Sequence, residues 1–264
     1  MKAVFRSPVR LAGLLVLTCL ILWAFGAPSL CSKGPFDRVG LPLLSPRIEY
    51  WLGTDDLGRS MACLAAFGLR TSIWVGIGVS VLSVLIGVVV GVVAGFFGGV
   101  VDLILSRIIA SVQVVPRFFL AIMIAAFFGP TLFAIIAILG LTSWPLIARL
   151  VRVQVLSLRQ CDFVVAAISL QLSRTRILFR HVLPGAISPV SASVAVLVGG
   201  AISTEAALGF IGLSDGRQVS LGKLIAEGYP FIATAPWLSV VPVAVLVLIV
   251  LSIQVTFGSP KQYN

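Results

Sequence analysis

The chain has 264 residues, of which 59% are hydrophobic and 11% are charged, and its formal net charge at pH 7 is +10. Soluble domains carry about 25% charged residues, and a water-surrounded core of this size would leave large apolar patches exposed. The composition therefore excludes an ordinary soluble domain and indicates a protein that crosses a membrane several times. The 19 basic residues form no basic face with interleaved aromatics, which argues against a nucleic-acid partner.

The first predicted span lies within residues 1–30. Residues 11–30 carry no charge and follow three basic residues, and about 20 apolar residues suffice for a spanning helix. A basic tip before an apolar run resembles a signal peptide, but the sequence before Cys31 is a poor cleavage or lipidation site, so we predict an uncleaved helix. Residues 31–68 are predicted as an external loop, in which Cys31 and Cys63 could meet; the sequence leaves their bonding open.

Residues 69–257 are predicted to hold five further spans, at about 71–101, 104–128, 131–150, 185–208 and 236–257. Gly129 and Pro130 form a strong turn signal between the third and fourth spans. The glycine- and proline-rich stretch before the last span is predicted as a loop with short helical pieces. The fold class is thus an all-α polytopic membrane protein, one transmembrane domain over 1–264 with six helices.

A glycine stripe recurs every four residues in the second predicted span. Small residues at this spacing let another helix approach the backbone closely. The stripe therefore predicts a helix-packing face rather than a ligand site, and its members are Gly87, Gly91, Gly95 and Gly99.

Lys and Arg placement predicts the orientation of the chain. The N-terminal tip has three basic residues, and residues 149–180 contain six arginines against one acid, Asp162. Basic residues accumulate in cytoplasmic segments, so both termini and residues 149–184 are predicted to be cytoplasmic. Within the latter, apolar residues at i, i+3, i+4 and i+7 predict a short amphipathic helix: Phe163, Ala166, Ala167 and Leu170. A second short helix is predicted near 174–182, ending at Leu183 and Pro184.

Several motifs occur together in order: WLGTDDLGRS (51–60), AGFFGGVVD (94–102), the VVAAISLQLSRTRILFRHVLP stretch (164–184) and EAALGFIGL (205–213). Together they resemble binding-protein-dependent ABC importer permeases, in particular the second permease chain of the dipeptide, oligopeptide and nickel branch. Two positions depart from the family pattern, with Val165 where Glu is usual and Gln171 where Gly is usual.

The resemblance implies a type I ABC importer permease fold in a bacterial inner membrane, with residues 149–184 as a cytoplasmic coupling loop (hereafter the coupling segment) that contacts an ATPase. It also implies a homologous permease partner, two ATPase subunits, an extracytoplasmic solute-binding protein and membrane lipids as partners. The expected coupling residues are Phe163, Val165, Ala166, Ala167, Leu170, Gln171, Arg176, Arg180, Leu183 and Pro184.

No catalytic or metal-binding constellation is recognisable in the sequence. None of the four lysines lies in a phosphate-binding loop motif, so the chain is predicted not to be an enzyme, with ATP and Mg²⁺ bound by partner subunits. One histidine precludes a histidine-based metal cluster. An ion-coupled secondary transporter is the alternative, which would require intramembrane relays and repeated halves.

Two ionisable residues lie within predicted spans, where such groups usually face a bundle interior or an aqueous cavity. Arg117 and Glu205 are therefore candidates for the translocation path or the permease interface; the alternatives are that Arg117 reaches the membrane surface and Glu205 caps a turn. Asp55, Asp56 and Arg59 are interpreted as a turn and helix cap rather than a metal or substrate site. The solute stays open among dipeptides, longer peptides, glutathione, opines and nickel chelates.

Overall fold

A computed structural model of the chain describes residues 8–31, 34–187 and 190–258. Helices dominate these residues, and no β-strand beyond two isolated bridges occurs among them. The α-helices are α1 (Pro8–Leu30), α2 (Met61–Phe97), α3 (Gly99–Val114), α4 (Arg117–Phe128), α5 (Leu132–Arg159), α6 (Asp162–Ser169), α7 (Arg174–Ile177), α8 (Leu183–Ile187), α9 (Val190–Phe210), α10 (Leu221–Gly228) and α11 (Trp237–Phe257).

Five helices are long and apolar enough to cross a membrane, namely α1, α2, α5, α9 and α11. A sixth span exists if α3 and α4 count as one, and these two helices are bent by 71°. The span predicted over 104–128 is present, but its helix breaks before Arg117 instead of running straight. Pro116 lacks a backbone N–H, and the preceding Val115 is extended with φ −75° and ψ 121°, the conformation favoured before proline.

Helices α2 and α5 form the central pair of the bundle, and glycines let them approach closely. A Cβ added at Gly87 would lie 2.7 Å from the Ile147 Cβ, and one at Gly95 would lie 2.8 Å from the Val155 Cβ. Gly91 faces α5 in the same way. Gly99 does not belong to this face, because it begins α3 with φ +54° and an added Cβ would meet nothing within 4 Å.

The predicted external loop is shorter than expected. Helix α2 begins at Met61, so residues 61–68 are helical and the loop ends at Ser60, which caps the helix. With 37 residues, α2 is about 55 Å long, which exceeds the membrane thickness of about 30 Å, so it projects beyond the bilayer. Cys31 and Cys63 form a disulfide, with Cα atoms 6.2 Å apart, that joins the end of α1 to α2.

Helix α1 packs on α11 and α2 through an apolar cluster that includes Leu17, Leu20, Leu69 and Ile249. Arg10 Nη2 donates a hydrogen bond to the Gly258 carbonyl oxygen at 3.1 Å. This bond brings the first and last described helices together at one end of the bundle.

The stretch between α9 and α11 contains α10 and a 3₁₀ turn, as the loop with short helical pieces predicted. Helix α10 lies directly on α9: a Cβ added at Gly222 would be 1.8 Å from the Ala206 carbonyl oxygen. Only glycine permits this contact, which holds the loop against the bundle.

Candidate functional site

The coupling segment begins as the end of α5 and continues through α6 and α7. A π-helical turn then spans Leu178–Val182 and leads directly into α8. The prediction that the second helix ends at Leu183 and Pro184 is wrong, because both residues lie in the first turn of α8. The π-helical turn just before Pro184 changes the backbone hydrogen-bond pattern there, which is how a helix accommodates a residue without an N–H. Leu183 is half-buried and Pro184 is exposed.

One face of the coupling segment packs on the bundle. Val164 and Ala167 of α6 are buried, together with Val182, against Val151 and Val155 of α5. Ala167 was expected on the face offered to the ATPase, but only 5% of it is exposed. Its side chain is instead part of the contact that fixes α6 beneath the membrane helices.

The opposite face of α6, together with Leu170 just after the helix, is apolar and exposed. Phe163 is 49% exposed, Val165 50% and Leu170 75%, and Ala166 lies between them. Exposed apolar groups that form a patch mark interaction surfaces. The polar members of the expected set are also exposed: Gln171, Arg176 and Arg180.

Gln171 lies two residues beyond the end of α6 in a left-handed conformation, with φ +55°. The Leu172 N–H donates to the Ala167 carbonyl oxygen at 3.2 Å, which is the long-range bond of a Schellman motif with Gln171 at its left-handed position. That position usually holds glycine because a side chain there is strained. The departure noted at this residue therefore leaves the turn intact at a cost in backbone strain.

Arg117 lies at the start of α4 and borders a cavity of about 400 Å³ formed by α4, α5 and α9. Its Nη1 donates to the Ser143 hydroxyl at 3.1 Å. Gly200 and Thr204 of α9 form the opposite wall. Arg117 is exposed, and none of the carboxylates in the described residues lies within ion-pair distance of it.

Glu205 lies in the interior of the subunit, with 2% of its surface exposed. Its Oε2 accepts a hydrogen bond from the Ser72 hydroxyl at 3.1 Å, and its Oε1 accepts one from the Ser220 hydroxyl at 2.7 Å. These contacts join α9 to α2 and to the residue that precedes α10. This burial supports a structural role for Glu205, in which its side chain links neighbouring helices, over a role in a translocation path. The alternative that Glu205 caps a turn is not observed either.

Two further polar clusters contain the carboxylates Asp55 and Asp102. Asp55 Oδ1 accepts from the backbone N–H of Leu57 at 3.0 Å and of Arg59 at 2.7 Å, so the turn part of the prediction is confirmed. The helix-cap part is wrong, because Ser60 caps α2. Asp102 at the start of α3 pairs with Arg152 of α5, whose Nη2 donates to Asp102 Oδ2 at 2.7 Å. The second pair escaped sequence reasoning because its members are 50 residues apart.

Comparison with known proteins places this architecture among transport proteins. The sequence profile of one family, the inner membrane component of binding-protein-dependent transport systems, matches residues 87–259. The chain is 34% identical over 258 residues to the dipeptide transport system permease protein DppC of Alkalihalophilus pseudofirmus, covering 95% of this chain and 83% of that protein. It is also 34% identical over 248 residues to the oligopeptide transport system permease protein OppC of Escherichia coli, covering 92% and 82%.

A solved structure, the inward-facing MetNI methionine ABC transporter, superposes on 74% of this chain and 93% of the matched chain. The TM-score is 0.61 and the sequence identity is 20%. This likeness concerns the fold, and it confirms the fold class expected from the motifs.

Proposed function

We propose that this chain forms half of a membrane path for small peptides. It belongs to the family of inner membrane components of binding-protein-dependent transport systems and is thus a permease subunit of an ABC importer. Transport permeases of this family are not enzymes. The relatives are named as dipeptide and oligopeptide permeases, which supports peptides over nickel chelates as the solute; nickel chelates stay the second candidate.

The exposed apolar face of α6 carries the proposal. A surface of Phe163, Val165 and Leu170 would be unfavourable in water, and it is fixed rigidly by Val164 and Ala167 on the other side of the same helix. A soluble ATPase subunit with an apolar cleft would bury this face. Closure of an ATPase dimer on ATP and Mg²⁺ would then move α6 and, through its buried side, α5.

The rest of the proposed assembly follows from this geometry. A homologous permease would complete the path, and the Arg117 cavity would face it, because Arg117 is exposed between α4, α5 and α9. Two ATPases would bind the coupling segments of the pair. A binding protein would deliver solute at the opposite face, and lipids would surround the apolar helices.

The disulfide supports the predicted orientation. Disulfides persist in oxidising compartments and are rare in the cytosol. A bond between Cys31 and Cys63 therefore favours an extracytoplasmic position for the loop after α1. Both termini and the coupling segment would then lie on the cytoplasmic side of the bacterial inner membrane.

Reconstitution tests the proposal. Vesicles that contain this chain, its companion permease, the ATPases and the binding protein should accumulate a labelled dipeptide only when ATP and Mg²⁺ are present on the coupling-segment side. Uptake by the chain alone, driven by a proton or sodium gradient, would instead establish the ion-coupled alternative. The similar proteins described above give that alternative no support.

A further inference from the structure

A second cavity, of about 340 Å³, lies where the coupling segment meets the ends of α2 and α5. Its volume falls in the range of small-ligand sites, about 300–1,000 Å³. The wall combines two arginines with apolar side chains, the main ones being Phe96, Phe97, Arg159, Leu172, Arg174 and Ile177.

The two arginines give this cavity an uncompensated positive charge. No acidic residue lines it, and in the described part of the chain no carboxylate lies within ion-pair distance of Arg159 or Arg174. Arg159 Nη1 donates to the Gly95 carbonyl oxygen at 3.1 Å, which uses one of five guanidinium donors. The remaining donors suit a phosphate group, which arginine binds in a bidentate manner.

The apolar part of the wall indicates what the phosphate is attached to. Phe97 is 55% exposed at the end of α2, and it shares the cavity wall with residues of the coupling segment. An inorganic phosphate would leave this aromatic surface uncovered, whereas an acyl chain would cover it. Basic pockets between helices on the cytoplasmic side are also the places where anionic lipid headgroups bind.

We propose that this cavity binds the phosphate group of an anionic phospholipid from the cytoplasmic leaflet, held between Arg159 and Arg174 with an acyl chain against Phe97. The lipid would connect α7 of the coupling segment to the ends of α2 and α5. The leaflet assignment rests on the orientation proposed above, but lipid binding itself requires neither transport nor ATP.

Native mass spectrometry of the detergent-extracted, delipidated transporter complex tests the proposal. Titration with phosphatidylglycerol should show tighter binding than titration with phosphatidylcholine. Since one arginine near a membrane surface contributes about a factor of five to the attraction of an anionic lipid, Arg174→Gln should weaken phosphatidylglycerol binding about fivefold. Arg107→Gln is the matched control, because Arg107 is exposed on α3 and outside the cavity wall.

Arg159→Gln combined with Arg174→Gln should weaken binding about 25-fold, by the same factor for each arginine. If that double variant fails to assemble, phosphatidylglycerol binding is compared in Arg174→Gln and Arg174→Lys alone. Binding is expected to survive in the lysine variant. Equal binding of the two lipids, or unchanged preference in Arg174→Gln, would overturn the proposal. Binding of inorganic phosphate at least as tight as that of phosphatidylglycerol would assign the site to a free anion. Lipid binding only after removal of the ATPases would assign it to an acidic partner side chain. Either result would refute the lipid.

Discussion

Replacement of Gly91 by alanine tests the close contact between α2 and α5. The new Cβ would lie 2.5 Å from the Ala148 carbonyl oxygen and 2.8 Å from the Val151 Cβ. Because the oxygen is a backbone atom and Val151 is fully buried, neither can rotate away, and the helices must separate by roughly 0.5–1 Å to restore contact distances.

Overpacking of this kind costs about 1–3 kcal/mol, while alanine in a helix interior recovers about 0.5–1 kcal/mol relative to glycine. We therefore expect Gly91→Ala to lower the free energy of unfolding by about 1–2 kcal/mol. SDS titration of the purified chain in mixed micelles, followed by circular dichroism, measures this quantity.

Gly26→Ala is the matched control for this measurement. An alanine Cβ at Gly26 of α1 would meet nothing within 4 Å, so helix propensity alone should act and stability should rise by about 0.5–1 kcal/mol. If Gly91→Ala proved as stable as Gly26→Ala, the close approach of α2 and α5 at the glycine stripe would be refuted.

Substitutions at three further positions test the translocation path, the packing of the interior and the strain of the turn after α6. Arg117→Gln should lower peptide uptake about tenfold, the equivalent of one charged hydrogen bond, in reconstituted vesicles with normal complex yield. Glu205→Ala should lower the free energy of unfolding by about 2–3 kcal/mol, because two buried hydroxyls lose their acceptor, whereas Glu205→Gln should cost less and leave uptake normal. Gln171→Gly should slow proteolysis of the coupling segment, and Gln171→Val should speed it, since a left-handed β-branched residue costs at least about 1–2 kcal/mol.

Each of these substitutions has a contradicting result. Normal uptake by Arg117→Gln would remove that side chain from the path. Wild-type stability of Glu205→Ala would show that its two serine contacts are unimportant. Equal cleavage rates of the two Gln171 variants would show that the turn after α6 is not strained.

Hydropathy is a local property, and it located the spans well. Span length alone did not show that the third span breaks at Val115 and Pro116, because an apolar run reads the same whether its helix is straight or bent by 71°. Likewise, the glycine period continued to Gly99, but α2 ends at Phe97, so the last glycine serves a helix start instead of a contact.

Residues that face one another from distant parts of the chain could not be predicted. The spacing of apolar residues in α6 places Ala167 and Phe163 on the same face of the helix. Only the packing of α6 against α5 determines that Ala167 is buried. Glu205 was recognised as an ionisable residue in a span, but its partner Ser220 lies in a loop with no hydropathy signal. The bond between Cys31 and Cys63 depends on how the loop between them folds back onto α2.

Copurification of the ATPase with Ala166→Asp tests most directly whether the exposed face of α6 docks the motor. Ala166 is exposed between the apolar side chains of α6, so the variant should fold normally, but it would bury an unpaired carboxylate in the contact at a cost of about 3–5 kcal/mol. We predict that the detergent-purified complex keeps its companion permease and loses its ATPase subunits, while Ala166→Ser keeps both. Retention of the ATPases by Ala166→Asp at the wild-type ratio would contradict the account.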